Sequence, residues 1–266
     1  MVVSVFMAIL HSPHHTARKT QGFSRHASRY RPESPVLIFG KRLLAFLLLT
    51  LLLHSLFTTV VIRPISITTD SMGPSLQVGD HVLSSPLAYQ LTLPILGTII
   101  QYGNPKPGDL VTLLAPYEQA QSFGERVLSF FTGPLGFLSS LGDSPLSGLQ
   151  EPLQIKRIIA GPGDTVLLEA NRFFIKPAGS NRFITEEEYL HKSRYYDASM
   201  AYDLPPTLPL SGTQSEQILG PGEYFVAADN RGNTMDSRHW GGVNRKNIRG
   251  KIFLRYKPMA DFGLLP

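Results

Sequence analysis

A run of 20 residues without a formal charge, Leu43 to Ile62, constrains this chain more than any other feature. At 1.5 Å of rise per residue, a helix of that length covers about 30 Å, the thickness of one bilayer hydrocarbon core. Basic residues gather on its N-terminal side. Residues 1–42 hold seven Lys and Arg against the single acid Glu33, which puts +6 there and leaves −1 for the rest of the chain. By the positive-inside rule the N-terminus is expected in the cytoplasm and the residues after Arg63 outside. The competing reading is a cleaved signal peptide. Its apolar region would be shorter and would end in a small-residue site, which Thr58-Thr59-Val60-Val61-Ile62-Arg63-Pro64 does not offer. His54, deep in the run, reads either as a proton relay or as a tolerated neutral imidazole. The nearly neutral remainder removes the main support for polyanion binding, so no nucleic-acid partner is expected.

Beyond Pro64 the pattern turns to strand and turn. His81–Ser84, Asp109–Ala115, Leu153–Ala160, Thr165–Glu169, Arg172–Lys176, Glu223–Ala228 and Lys251–Tyr256 are short runs rich in branched and aromatic residues. Several follow Pro-Gly and an acid, as in Pro107-Gly108-Asp109, Pro162-Gly163-Asp164 and Pro221-Gly222-Glu223, punctuation that reads as a turn feeding a strand. The fold class expected is mainly β: a single N-terminal transmembrane helix followed by a β-rich domain of coiled antiparallel sheets. The domains are then a basic cytoplasmic tail (1–42), an anchor (43–62) and a body (63–266) with insertions at about 116–151 and 177–217. The first insertion carries an apolar stretch broken by Gly and Pro, from Leu128 to Leu138, which fits a loop dipping into the bilayer, a buried hairpin or a local cap. The second is polar, and its Glu186-Glu187-Glu188 run reads as a wet face.

Cysteine is absent, which excludes thiol catalysis, disulfides and cysteine-zinc sites. A nucleophile must come from elsewhere, and Ser71 is the candidate. It lies a few residues past the apolar run, in Thr68-Thr69-Asp70-Ser71-Met72-Gly73-Pro74-Ser75-Leu76. Serine needs a base. His81, His191 and His239 have no setting that marks a catalytic partner. Lysine serves if desolvation strips its proton. Lys156 sits between Leu153-Gln154-Ile155 and Ile158-Ile159, where strand alternation puts it and Arg157 on opposite faces. Composition alone favours a solvated lysine beside an arginine, the usual fate of such a pair.

Three boxes in order reverse that preference. Ser71-Met72-Gly73-Pro74-Ser75-Leu76, then Lys156-Arg157-Ile158-Ile159-Ala160-Gly161-Pro162-Gly163-Asp164, then Asp229-Asn230-Arg231-Gly232-Asn233-Thr234-Met235-Asp236-Ser237-Arg238-His239-Trp240-Gly241 resemble the boxes of the signal peptidase I (leader peptidase) family of Ser–Lys proteases. Lys106-Pro107-Gly108-Asp109 and Gly250-Lys251-Ile252 also fall in order. The resemblance runs from about residue 65 to 257.

It implies a membrane-anchored serine endopeptidase that removes N-terminal signal peptides from exported preproteins, with Ser71 as nucleophile and Lys156 as its base. The Ser71 N–H and the Thr69 hydroxyl would bind the oxyanion, and Thr234 would orient Lys156. Asp236 and Arg238 would brace the site by pairing across it or would form an ordinary surface ion pair, with Asp229 and Asn230 as further support. No cofactor or metal is called for. The expected partners are preproteins with small residues before the cut, membrane lipid and the secretion machinery. The expected location is the bacterial cytoplasmic membrane with the catalytic domain on its outer face. Ala160 and Ala228 stand where the family usually has glycine, and each added methyl is expected to tune specificity. The alternative is a catalytically altered paralogue or dedicated-client peptidase acting as an anchored binding protein.

Overall fold

The computed structural model describes residues 34–93, 96–132, 152–190, 214–232 and 235–265. Residues 1–33, 133–151 and 191–213 lie outside the described residues, as does Thr234. The chain divides into two compact units, Met1–Phe46 and Leu47–Pro266.

Helix α1 covers Pro35–Val60. It begins before the expected boundary at Leu43, so Lys41 and Arg42 lie inside the helix and not in the tail. The cause is local: Ser34 accepts the Leu37 N–H at 3.3 Å, and proline at the first helical position costs no hydrogen bond. Among the described residues this is the one helix long and apolar enough to cross a membrane.

The second unit is built from strands, in chain order β1 (Arg63–Ser66), β2 (His81–Ser85), β3 (Gln90–Leu93), β4 (Gly97–Gln101), β5 (Leu110–Leu114), β6 (Leu153–Ala160) and β7 (Thr165–Glu169). There follow β8 (Arg172–Lys176), β9 (Ile184–Thr185), β10 (Gln214–Ile218), β11 (Glu223–Ala227), β12 (Val243–Asn244), β13 (Ile248–Lys257) and β14 (Gly263–Leu264). A large sheet runs β1-β2-β13-β5-β6-β11-β12, with β14 on β13; a smaller one runs β10-β7-β8-β9, and among the described residues β3 pairs only with β4. All pairings are antiparallel.

The three Pro-Gly-acid turns share one construction. The third residue is glycine in the left-handed region (Gly108 φ +94°, Gly163 φ +87°), which a type II turn requires. The acid then folds back to accept a backbone N–H three residues earlier: Lys106 to Asp109, Gly161 to Asp164 and Gly220 to Glu223, each at 2.9 Å. Each turn therefore closes on itself, its opening N–H satisfied by the acid that leads into the strand.

Both faces of the large sheet are covered, which explains why β5 is buried at every residue. Val111, Leu113, Ile158 and Val226 pack with Tyr89 and Tyr224 in one cluster, while Leu110 packs with Met72, Leu76, Val82 and Ile252 in another. A third cluster joins the two sheets through Ile159, Phe225, Val166, Phe173 and Ile175.

Both expected insertions contain folded elements. Phe123–Thr132 forms helix α2, and Glu186–Tyr189 forms the short helix α3 beside β9. The end of the expected insertion, from Gln214 to Gln217, belongs to the edge strand β10 (Gln214–Ile218), held by backbone pairing to β7 that no side-chain pattern announces. The acid run is not all wet face. Glu186 is buried and bonds Arg231 at 2.6 Å, with the Arg231 guanidinium 4.7 Å from the centre of the Phe173 ring. A charge so buried persists because a partner neutralises it.

Candidate active site

Ser71 lies in a single 3-10 turn, Asp70–Met72, entered through an extended Thr69. Two anchors hold this turn. Met72 and Leu76, both fully buried, plug it into the core, each burial being worth about 1.5–3 kcal/mol. From the other side Asn230 clamps it: its backbone N–H donates to the Ser71 carbonyl at 3.1 Å, and its amide donates to the Asp70 carbonyl and carboxylate, both at 3.1 Å. The Thr69 hydroxyl lies 3.1 Å from Ser71 Oγ, brought there by an extended Thr69 leading into the 3-10 turn and not by alternation along one extended segment. Ser71 itself stays partly exposed.

The turn packs against β6, the strand that carries Lys156. Lys156 is buried, with only 3% of its surface exposed. Burial holds its ammonium down to about 8; the Asp236 carboxylate pulls partly the other way, and the Arg238 guanidinium adds to the depression. Next to it, Arg157 is turned to a buried carboxylate and away from solvent. Its guanidinium is 0% exposed and forks onto Asp229 at 2.8 and 2.7 Å, while also donating to the Gly108 carbonyl (2.8 Å) and Ser75 Oγ (3.1 Å). One buried cation thus ties β6 to the serine segment, to the turn before β5 and to the third box.

Asp236 and Arg238 differ from both expectations. They pair with each other, Nε to Oδ1 at 2.9 Å, and they are buried. Asp236 also caps the short helix α4 (Ser237–Trp240) and accepts the Ala228 N–H at 3.2 Å, and Arg238 donates to the Arg231 carbonyl at 3.0 Å. The pair locks the 228–238 segment from within, leaving Asp236 close enough to act on the charge of Lys156. Ala160 and Ala228 are both wholly buried, in the inter-sheet cluster and in the cluster beneath Met72. Their methyls fill core, so the structure gives them no place on a substrate-facing surface.

Sequence reasoning missed a second polar knot. Asp109 accepts from Tyr89 (2.6 Å) and pairs with Lys251 (2.7 Å), while Arg245 donates to the Gly103 and Tyr89 carbonyls. Burial raises the Tyr89 hydroxyl's pKa, so it stays a donor. The Lys106-Pro107-Gly108-Asp109 and Gly250-Lys251-Ile252 boxes were its sequence signals.

Residues 40–257 match the family described as signal peptidase, peptidase S26. The chain belongs to this family. Signal peptidase I of Pseudomonas aeruginosa is 26% identical and aligns over 86% of this chain and 75% of its own length. A probable signal peptidase I of Synechocystis is 25% identical over 92% and 86%. A solved signal peptidase I from Enterococcus faecalis covers 57% of this chain and 98% of its own at 20% identity, with a TM-score of 0.30. Membership makes the chain a serine endopeptidase of the signal peptidase type, whose substrates are preproteins bearing signal peptides.

Proposed function

We propose that Ser71 and Lys156 are the catalytic dyad of a membrane-anchored signal peptidase. The observation that carries this is the burial of Lys156 on the strand beneath the Ser71 turn, which lowers its pKa to about 8. A neutral amine there accepts the Ser71 proton as Oγ attacks the scissile carbonyl, then returns it to the leaving amine. It next activates the water that releases the acyl-enzyme. The Ser71 N–H and the Thr69 hydroxyl donate to the oxyanion, a role the 3.1 Å spacing of the two hydroxyls supports. Thr234 orients the Lys156 amine, and Asp229, Asn230, Asp236 and Arg238 hold the surrounding segments in place.

Helix α1 is the anchor. Only eight residues separate Ile62 from Ser71, so the chain can carry Ser71 no more than about 30 Å from the end of the apolar run. A preprotein whose apolar region lies in the bilayer presents its cleavage point within that reach. The basic residues before α1 favour a cytoplasmic N-terminus and a catalytic domain on the outer face of the bacterial cytoplasmic membrane. Small side chains before the cut and delivery by the secretion machinery complete the reading.

The test is preprotein cleavage by the full chain in proteoliposomes. Ser71→Ala and Lys156→Met should each abolish processing while the domain stays folded; full cleavage by either variant sinks the assignment. A serine-directed acylating probe that fails to label Ser71 would favour a non-catalytic anchored paralogue instead.

A further inference from the structure

Asp70 stands one residue before Ser71, and its surroundings differ from those of the other acids around the site. Asp229 and Asp236 have side chains 0% exposed, and each is matched by an arginine, Arg157 and Arg238. Asp70 is exposed, and none of the ion pairs among the described residues includes it. The charges that act on Lys156 are those of Asp236 and Arg238, so Asp70 is not engaged with the base either.

The Asp70 carboxylate is nonetheless held in one place. Its Oδ2 accepts the Asn230 amide at 3.1 Å. Its Oδ1 lies 2.8 Å from the point where a side chain at residue 73 would begin. Gly73 has φ −63° and ψ 142°, a conformation open to any residue, so the backbone does not call for glycine there. What the missing side chain provides is room for the carboxylate. A neutral amide and an open space thus fix an exposed negative charge without cancelling it. Neighbouring Cα atoms are about 3.8 Å apart, which keeps the carboxylate within about 10 Å of Ser71 Oγ. At low salt, where screening extends over about 10–30 Å, a charge at that range acts on whatever Ser71 attacks. Under the peptidase reading the residues before the cut are mostly small or apolar. Charged side chains near the scissile bond therefore lie mostly in the mature part that follows it.

We propose that Asp70 is a specificity residue that favours preproteins with a cationic side chain in the first few residues after the cut and disfavours those with an acidic one. This rests on the reading of Ser71 as the nucleophile. The test uses three otherwise identical preproteins with Lys, Gln or Glu as the second residue after the cut, cleaved by the full chain in vesicles of zwitterionic lipid. The readout is the ratio of kcat/KM for the Lys over the Glu substrate, in which any general loss from a disturbed Ser71 turn cancels. Wild type should give a ratio of about 10 at about 0.05 M salt, falling below about 3 at about 0.5 M, with the Gln substrate in between. Asp70→Asn keeps an oxygen for the Asn230 amide and should bring the ratio to about 1, and Asp70→Lys should invert it. If Asp70→Asn cleaves nothing, Gly73→Ala decides in its place: its methyl displaces the carboxylate and should lower the ratio, and an unchanged ratio overturns the proposal. A wild-type ratio near 1, or a preference that survives in Asp70→Asn, also overturns it and leaves the peptidase reading standing. A wild type that cleaves none of the three substrates overturns both.

Discussion

Replacing Lys156 by methionine should raise the stability of the fold while removing the chemistry, and the size of the gain should depend on pH in a defined way. The folded chain holds the Lys156 proton only up to about 8, whereas the ordinary value is 10.5. That gap is worth about 3 kcal/mol against the charged amine in the folded state. The unfolded chain binds more protons throughout the interval, so wild-type stability rises as pH climbs from 8 to 10.5. Below 8 both states are protonated and the fold bears the whole cost; above 10.5 neither is and the cost is gone. Methionine fills similar space without the charge. Lys156→Met should therefore gain up to about 3 kcal/mol at pH 7, less as pH passes 9, and almost nothing above about 10.5. Urea unfolding of the detergent-solubilised full chain measures this, and Trp240, the single tryptophan, reports from the helix beside the site. A variant less stable than wild type at pH 7, or a gain that does not change with pH, would refute the desolvation argument.

The same burial sets the activity profile. With a pKa of about 8, about a quarter of Lys156 is neutral at pH 7.5, against about one part in a thousand for a free lysine. The kcat/KM for preprotein cleavage should rise along a limb centred near 8, and a limb near 10.5 would contradict it. Thr69→Val removes a hydroxyl but little packing, since Thr69 is exposed. It should lower kcat by about 10²-fold and shift stability by less than about 0.5 kcal/mol. Asp229→Asn leaves the Arg157 charge buried without its carboxylate and should cost about 3–5 kcal/mol in urea unfolding. Adding Arg157→Met should recover much of that loss, because the two effects share one interaction.

Where local rules governed, the elements were legible. β6, β7 and β8 run over the residues their apolar content indicates, since each strand is bounded by turn chemistry acting over four residues. β1 was hidden by Pro64, which reads as a breaker but sits on an edge strand where its missing N–H costs nothing. β10 was hidden by polarity, because Gln214–Ile218 is an edge strand whose exposed side chains resemble a loop. In the site, Ser71, Thr69 and Lys156 could be named from the boxes, but the pairings around them could not. Arg157 and Asp229 lie 72 residues apart, and Glu186 and Arg231 lie 45 apart, with nothing in either neighbourhood to mark the match.

The sequence by itself therefore determined a span long enough for a bilayer and the Pro-Gly-acid turns that start the strands, while Ser71 and Lys156 could be singled out only through the resemblance of their boxes to a known family. The span and the turns depend on residues a few positions apart, where geometry follows directly from spacing. Tertiary structure alone decided that Lys156 would be dry, that its arginine neighbour would be neutralised by Asp229, and that Asp236 and Arg238 would lock each other and not solvent. Desolvation and ion pairing are set by whatever packs against a residue from far along the chain. The same Lys-Arg dipeptide would be two solvated cations on an exposed strand; under the Ser71 turn it becomes a buried amine of lowered pKa and a buried tie.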